Sequence, residues 1–256
     1  MTYSAIELMI CCAARELEDG RTVAVGTGVP CAAAMLAQRT HAPNLVVLFE
    51  AGGVAPQLPT MPISVGDSRT FYRGIMATSM ADVMQFAQKG MIDYTFLGGA
   101  QIDAFGNLNS TVIGEHAKPK VRFPGSGGAC DLASLCWRTM VVTQQNAKRF
   151  VAKLDFLTSP GYLTGPGARE VAGLPRDSGP YRVITDLAVM GYLDHTRRME
   201  VRSLHPGVTA DQVRTATGFR LEFLDEVTTT EPPGELELRI LREEVDPHRY
   251  ILGRPC

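Results

Sequence analysis

Apolar positions near the start of the chain follow two different periods, and the switch between them marks out the opening elements. Ile6, Met9, Ile10, Ala13 and Leu17 recur at helical spacing. Ser4 followed by Glu7 has the form of a capping box, so a helix is predicted from Ser4 until Gly20 ends the run. RTVAV at residues 21–25 then reads as a strand and GTGVP as a turn, and residues 31–40 read as a second helix with Pro30 in or near its first turn. NLVVLF, residues 44–49, is a continuous apolar run that stops at Glu50, the pattern of a buried parallel strand with a functional tip. Together these make a β-turn-α-β unit.

The stretch after Glu50, residues 51–66, is rich in proline and glycine and too long for an ordinary connection, so a loop that shapes a site is expected. Residues 79–90 read as a helix with a serine cap and a terminal glycine, and residues 92–97 as a strand entering GGAQIDAFGNLNST. Beyond a second glycine segment, FPGSGGACDLAS, the runs RTMVVT and YRVITDLAVMGYL supply strands, and TADQVRTATG and ELELRILREEVD supply late helices. This alternation predicts an α/β fold, an open, largely parallel sheet with helices on both faces. No repeat, linker or low-complexity tract divides the chain, so one domain over residues 1–256 is expected.

Charge narrows the partners. The 25 Lys and Arg nearly balance the 27 Asp and Glu, and the basic residues are scattered, which argues against nucleic acid as a partner. The N-terminal stretch lacks a basic n-region and a long apolar run, and nothing later approaches the roughly 20 apolar residues of a membrane span. A cytoplasmic protein without membrane contact is the expectation. Cys11, Cys12, Cys31, Cys130, Cys136 and Cys256 form no CxxC pair and no zinc spacing. Reduced thiols and no metal are therefore expected, with packing favoured over site lining for Cys31 and Cys130.

Four segments could carry chemistry. Gly26 and Gly28 lie between a strand and a helix, with acidic Glu50 roughly 20 residues further on, as in a dinucleotide-binding fingerprint. The third glycine position holds Cys31, and such a turn suits the pyrophosphate of coenzyme A as well as that of NAD, or is simply a tight βα turn. Glu50 itself, between a buried strand and Ala51-Gly52-Gly53, would be partly desolvated with small neighbours that let a substrate approach; the alternative is an ion-pair or capping role. The polar tip running from Gln101 through Asn109 follows a strand, at the edge where ligands bind in α/β sheets, with Gln101 and Asn107 as its candidate binding residues. Gly125, Ser126, Gly127 and Gly128 can expose consecutive backbone N–H groups, the geometry of an anion or oxyanion site, against a plain turn as the alternative.

FEAGG at Glu50, LGGAQIDAFGNLNST and GSGGACDLAS together resemble the catalytic-subunit pattern of family I CoA-transferases. SVGDSRTF, KPKVRFPGSGG, LTSPGYLTGPGARE, ATGF and the terminal REEVDP are similar to the glutaconate-type β subunit, in one order over nearly the whole chain. The resemblance implies Glu50 as the nucleophile and Gly125, Ser126, Gly127 and Gly128 as the oxyanion and CoA loop. It also implies an α subunit as partner in a heterotetramer or larger αβ oligomer, acyl-CoA and a carboxylic acid as substrates, and no cofactor beyond the CoA thioester. Ping-pong transfer through a glutamyl-CoA thioester on Glu50 is the expected reaction. Hydrolases and decarboxylases of CoA esters with the same fold lack the glutamate, as the resemblance implies, which leaves a CoA-ester hydrolase as the runner-up. An NAD-dependent oxidoreductase would explain neither later glycine segment, and Glu50 argues against a non-catalytic partner subunit.

Overall fold

The computed structural model describes residues 2–253, so Cys256 lies outside the described residues. The chain forms two compact units, one of residues 2–96 and 232–253, the other Leu97–Glu231.

The first unit opens with α1 (Ala5–Arg15), whose start is the predicted capping box: the Ser4 Oγ accepts from the Glu7 N–H at 3.3 Å, and the Glu7 carboxylate accepts from the Ser4 N–H at 2.8 Å. The helix stops at Arg15, short of Gly20, yet Leu17 beyond it is still buried. β1 (Thr22–Val25), α2 (Val29–Arg39) and β2 (Val46–Phe49) follow, and β1 pairs with β2 in parallel from Thr22 opposite Val46 to Val25 opposite Phe49. Residues 31–37 of α2 are all buried, and its alanines let neighbouring elements approach the helix from every side. The chain then doubles back through β3 (Gly53–Val54) and β4 (Met76–Ala77), both antiparallel additions. α3 (Met80–Gln88) begins in a Ser79–Asp82 capping box and leads into β5 (Tyr94–Leu97), which lies parallel to β1. The strand order here is β5-β1-β2-β3-β4.

The second unit carries two short hairpins, β6 (Gln101–Ile102) with β7 (Leu108–Asn109) and β8 (Val112–Ile113) with β9 (Val121–Arg122). α4 (Ala129–Leu135), β10 (Arg138–Val142), α5 (Ala168–Val171), β11 (Gly179–Ile184), β12 (Ala188–Tyr192), β13 (Met199–Leu204), α6 (Ala210–Thr215) and β14 (Glu222–Thr229) complete it. Its strands run β14-β13-β12-β11-β10. β10–β11 and β13–β14 are parallel, whereas β11–β12 and β12–β13 are antiparallel. The run YRVITDLAVMGYL is thus a hairpin, turned by the Thr185 Oγ1, which accepts from the N–H groups of Leu187 and Ala188. Ile102, Val141, Phe150, Val183, Met190 and Val201 belong to one buried apolar cluster.

The α/β class predicted from the alternation is observed, with parallel pairing from β5 through β1 to β2 and antiparallel strands added outside it. No helix among the described residues is long and apolar enough to cross a membrane.

The chain returns to the first unit in α7 (Glu235–Ile240), which continues into a π-helical turn at Leu241–Val245. Two ion pairs pin this segment to α1: Arg15 with Glu237 and Arg242 with Glu7, each at 2.6 Å. Burial opposes the charge on Glu7, but the hydrogen bonds from Arg242 and Ser4 outweigh it and hold the carboxyl below its usual range. A carboxyl depressed in the folded state contributes stability above its unfolded pKa, about 4.3, and loses it as pH falls through the folded value. Glu7→Gln should therefore cost roughly 2 kcal/mol at pH 7, because Arg242 loses a charged partner, and should flatten the decline in stability below about pH 4. Urea denaturation midpoints measured across that pH range test this; parallel acid limbs for the two proteins would contradict it.

Candidate functional site

Two regions carry the candidate chemistry. In the first unit, Glu50 follows the last residue of β2 and Gly26 the last residue of β1; since Val25 sits opposite Phe49, both leave adjacent parallel strands at the same level of the carboxyl edge. Neighbouring strands are ~4.8 Å apart, so the GTG turn and Glu50 share one short stretch of that edge. Gly28, in left-handed backbone at φ +84°, is the N-cap of α2, and nothing lies within 4 Å of where a Cβ on Gly26 would stand. Cys31 is fully buried in α2 with its Sγ 3.8 Å from the Met35 sulfur, so packing fills the third glycine position of a dinucleotide fingerprint. Burial pushes its thiol up to about 12.

Glu50 is half-buried, and among the described residues its carboxylate takes part in no hydrogen bond or ion pair. Immediately after it the chain reverses, with the Gly52 N–H donating to the Phe49 carbonyl at 2.9 Å and Ala55 N–H to Val47 at 2.8 Å. Gly52, at φ +110°, is crossed by the backbone of Thr78, and Gly53 by that of Thr70; a Cβ on either would overlap the facing carbonyl oxygen. From sequence, these small residues were expected to admit a substrate. At Gly52 and Gly53 the space that a Cβ would take is filled by the chain's own backbone. The loop expected over residues 51–66 contains β3 and is braced from Arg69, whose guanidinium donates to the Met61 carbonyl at 2.7 Å and pairs with Asp67 at 2.6 Å.

In the second unit the two glycine segments meet. Gly125 N–H donates to the Ser110 carbonyl at 3.1 Å, and the Ser110 hydroxyl donates back to the Gly125 carbonyl at 3.0 Å. Ser110 is held in turn by the Thr158 Oγ1, which accepts its N–H at 2.9 Å and lies 2.7 Å from the Thr111 hydroxyl. Gly127 has φ +50° and Gly128 φ −80°, and successive residues of opposite sign turn their N–H groups toward one side. Among the described residues the N–H groups of Ser126, Gly127 and Gly128 donate to no protein acceptor. The Ser126 hydroxyl, by contrast, accepts the Cys130 N–H at 3.0 Å and so caps the first turn of α4. Cys130 is exposed, contrary to the packing expected of it, while Cys11, Cys12 and Cys136 are buried.

The polar tip before this loop faces inward. Gln101 is buried, its Oε1 accepting from Asn109 Nδ2 at 2.7 Å and Asp155 N–H at 3.0 Å, its Nε2 donating to Asp155 at 3.1 Å. Asn107 uses all of its amide: Nδ2 donates to Asp103 and to the Leu163 carbonyl, and Oδ1 accepts from the Gly161 and Leu163 N–H groups. Gln101 and Asn107, expected at the ligand edge, are instead buried and hydrogen-bonded to neighbouring and distant segments of the chain. Ser110 and Thr158, which hold the glycine loop, went unread in the sequence; the one local signal was Asn109, whose Oδ1 closes an Asx turn onto the Thr111 N–H at 2.9 Å. Among the described residues no group of three or more His, Cys, Asp or Glu is placed to hold a metal ion.

The sequence model of the family described as coenzyme A transferase matches residues 6–216. The chain belongs to that family. It is 40% identical to the B subunit of 3-oxoadipate CoA-transferase from Pseudomonas knackmussii over 94% of this chain and 92% of the relative. It is 35% identical to the B subunit of glutaconate CoA-transferase from Acidaminococcus fermentans, covering 99% and 96% respectively. The crystal structure of glutaconate coenzyme A-transferase from Acidaminococcus fermentans superposes with a TM-score of 0.94 at 34% identity, covering 99% of both chains.

Two substitutions test the geometry of this coenzyme A transferase chain. Gly52→Ala should cost roughly 3 kcal/mol or more, since it strains a positive φ and forces the Thr78 backbone away. A denaturant midpoint within error of the parent protein would show that the crossing is loose. Ser110→Ala removes one of the two hydrogen bonds on Gly125 and should cost about 1 kcal/mol, together with faster amide hydrogen exchange at Gly125. Unchanged exchange there would mean that the backbone bond alone holds the loop.

Proposed function

We propose that this chain is the catalytic B subunit of an acyl-CoA:carboxylate CoA-transferase, with Glu50 as the nucleophile. The observation that carries the reading is a half-buried glutamate at the carboxyl end of a buried parallel strand, without a protein partner among the described residues. A carboxylate of that kind is placed to react and not to brace the fold. Membership of the coenzyme A transferase family and the B-subunit names of the relatives support it.

A transferase must conserve the free energy of the thioester, and a carboxylate nucleophile does so. One Glu50 oxygen attacks the acyl-CoA carbonyl and expels the CoA thiolate, leaving an acyl-glutamyl anhydride. The thiolate then attacks the glutamyl carbonyl, the first acid departs as its carboxylate, and a glutamyl-CoA thioester remains. A second acid runs the same steps in reverse. A serine ester would lie too low in energy to regenerate a thioester easily. Every addition step puts negative charge on oxygen, and the undonated N–H groups of Ser126, Gly127 and Gly128 are the stabilisers we assign to it. The side chains of Gln101, Asn107 and Ser126 are assigned to holding loops and not to the substrate.

The substrate is itself the CoA thioester, and the reading calls for no metal or redox cofactor. The partner is an A subunit, in a heterotetramer or a larger assembly of αβ pairs. The relatives' names carry 3-oxoadipate and glutaconate, both dicarboxylic acids, and a dicarboxylic acyl group is the class we assign here.

The test uses the chain assembled with its A subunit. Incubated with glutaryl-CoA and no acceptor, then reduced with borohydride, the enzyme should lose activity as Glu50 alone becomes the alcohol, and added acceptor acid should protect it. Glu50→Gln should lower exchange by at least about 10³-fold with the fold retained. Steady release of free CoA from the acyl-CoA while Glu50 stays unmodified would point to a CoA-ester hydrolase and end the transferase reading.

A further inference from the structure

Gly26 and Gly28, the two glycines of the turn beside Glu50, are not equally bare. Among the described residues nothing approaches the place of a Cβ on Gly26, whereas the Ile251 Cδ1 lies 3.6 Å from that of a Cβ on Gly28. The C-terminal segment of the first unit thus reaches the turn that shares the carboxyl edge with Glu50. Glycine at φ +84° offers no side chain of its own, so the apolar tip of Ile251 lies directly on the backbone there.

Ile251 is held in this place by a built support. The Val245 carbonyl accepts the Met61 N–H at 3.2 Å, and the Glu244 carboxylate stands 3.7 Å from the Arg39 guanidinium of α2, so the start of the segment is fixed. Asp246, only 1% exposed, then gathers three backbone N–H groups: Oδ1 accepts from Tyr250 at 2.8 Å, and Oδ2 from Ile251 at 2.8 Å and Leu252 at 3.0 Å. Its carbonyl accepts the Arg249 N–H at 3.0 Å, with Arg249 in left-handed backbone at φ +55°. The chain returns tightly on itself, leaving Tyr250 56% exposed and Ile251 half-buried on Gly28. A buried carboxylate spent on three N–H groups and an arginine in strained backbone are costly ways to hold a surface segment, and such strain gathers where position matters to the chemistry.

We propose, resting on the transferase reading above, that Ile251 decides between transfer and hydrolysis by keeping water off the turn beside Glu50. The glutamyl-CoA thioester then meets an acceptor carboxylate before it meets water. In the reaction that Ile251 suppresses, the water oxygen bonds to the glutamyl carbonyl carbon and the C–S bond breaks. One water proton goes to the sulfur and the other to solvent, so free CoA leaves and the Glu50 carboxylate is restored. The free energy of the thioester is lost in that step.

The test uses the chain assembled with its A subunit, glutaryl-CoA and acetate as acceptor, with acetyl-CoA formation and free thiol release measured separately. Ile251→Gly should raise the ratio of thiol released to CoA transferred roughly ten-fold or more, and Ile251→Val, which restores most of the cover, should return it towards the parent value. A merely destabilised enzyme loses both rates together and keeps the ratio. If Ile251→Gly melts too early to assay, Ile251→Ala should shift the ratio in the same direction. Adding Glu50→Gln to Ile251→Gly should stop the extra thiol release, since the water attacks the glutamyl thioester. If Glu50→Gln in the parent chain leaves exchange intact, the transferase reading itself fails. The role of Ile251 alone is overturned if Glu50→Gln abolishes exchange while the glycine and alanine variants keep the parent ratio, or if the raised thiol release survives Glu50→Gln.

Discussion

The backbone crossing at Gly52 and Gly53 is the constraint on which the candidate nucleophile depends. β2 carries its apolar side chains to the carboxyl edge, and the chain must then reverse at once so that β3 can pair back along β2, Val54 opposite Leu48. That reversal brings the carbonyls of Thr78 and Thr70 to where side chains would otherwise begin, so glycine is required at both positions. Glu50 is the residue left at the apex. Its position is fixed from one side by the ladder with β1 and from the other by the glycine crossing, a stiff mounting for a group whose neighbours carry little side chain of their own.

A second structural theme is the conversion of polar loop residues into scaffolding. Gln101, Asn107, Asn109 and Ser110 come from a segment rich in amides and hydroxyls; Gln101, Asn107 and Ser110 bond to loops far along the chain, and Asn109 ties Gln101 to Val112 within the segment. The consequence is rigidity in a segment whose strands are only two residues long, where side chains must satisfy many of the buried backbone groups. The glycine loop inherits that rigidity through Ser110 and Thr158. The loop is held by its flanks while its central N–H groups donate to no acceptor among the described residues, and for the proposed reaction such preorganised dipoles would need no rearrangement as charge develops.

Buried charge follows the same economy. Glu7 and Arg242 tie the returning C-terminal segment to the first helix, so the ends of the chain close one unit. His205 is buried between the Thr185 carbonyl and the Thr230 hydroxyl, and burial lowers its pKa, which suits a neutral imidazole used as a hydrogen-bond bridge within the second unit.

Much of this was legible in the residues alone. The Ser4–Glu7 capping box, the β-turn-α-β opening, the strand that ends at Glu50 and the glycine segments are local patterns, and local patterns survive in sequence because helix caps and strand periods involve residues only a few positions apart. The motifs that resemble the CoA-transferases were legible for the same reason, as short runs whose order persists. What the tertiary structure decided was the use of each polar or small residue. Gly53 answers to Thr70, Asn107 to Gly161 across 54 positions, and Gln101 to Asp155 across another 54. The hairpin within YRVITDLAVMGYL and the exposure of Cys130 were decided there too. A side chain's hydrogen-bonding capacity is written in its residue type, but the partner that consumes it is brought near only by folding, so whether an amide serves a ligand or a loop is set by contacts that no local pattern encodes.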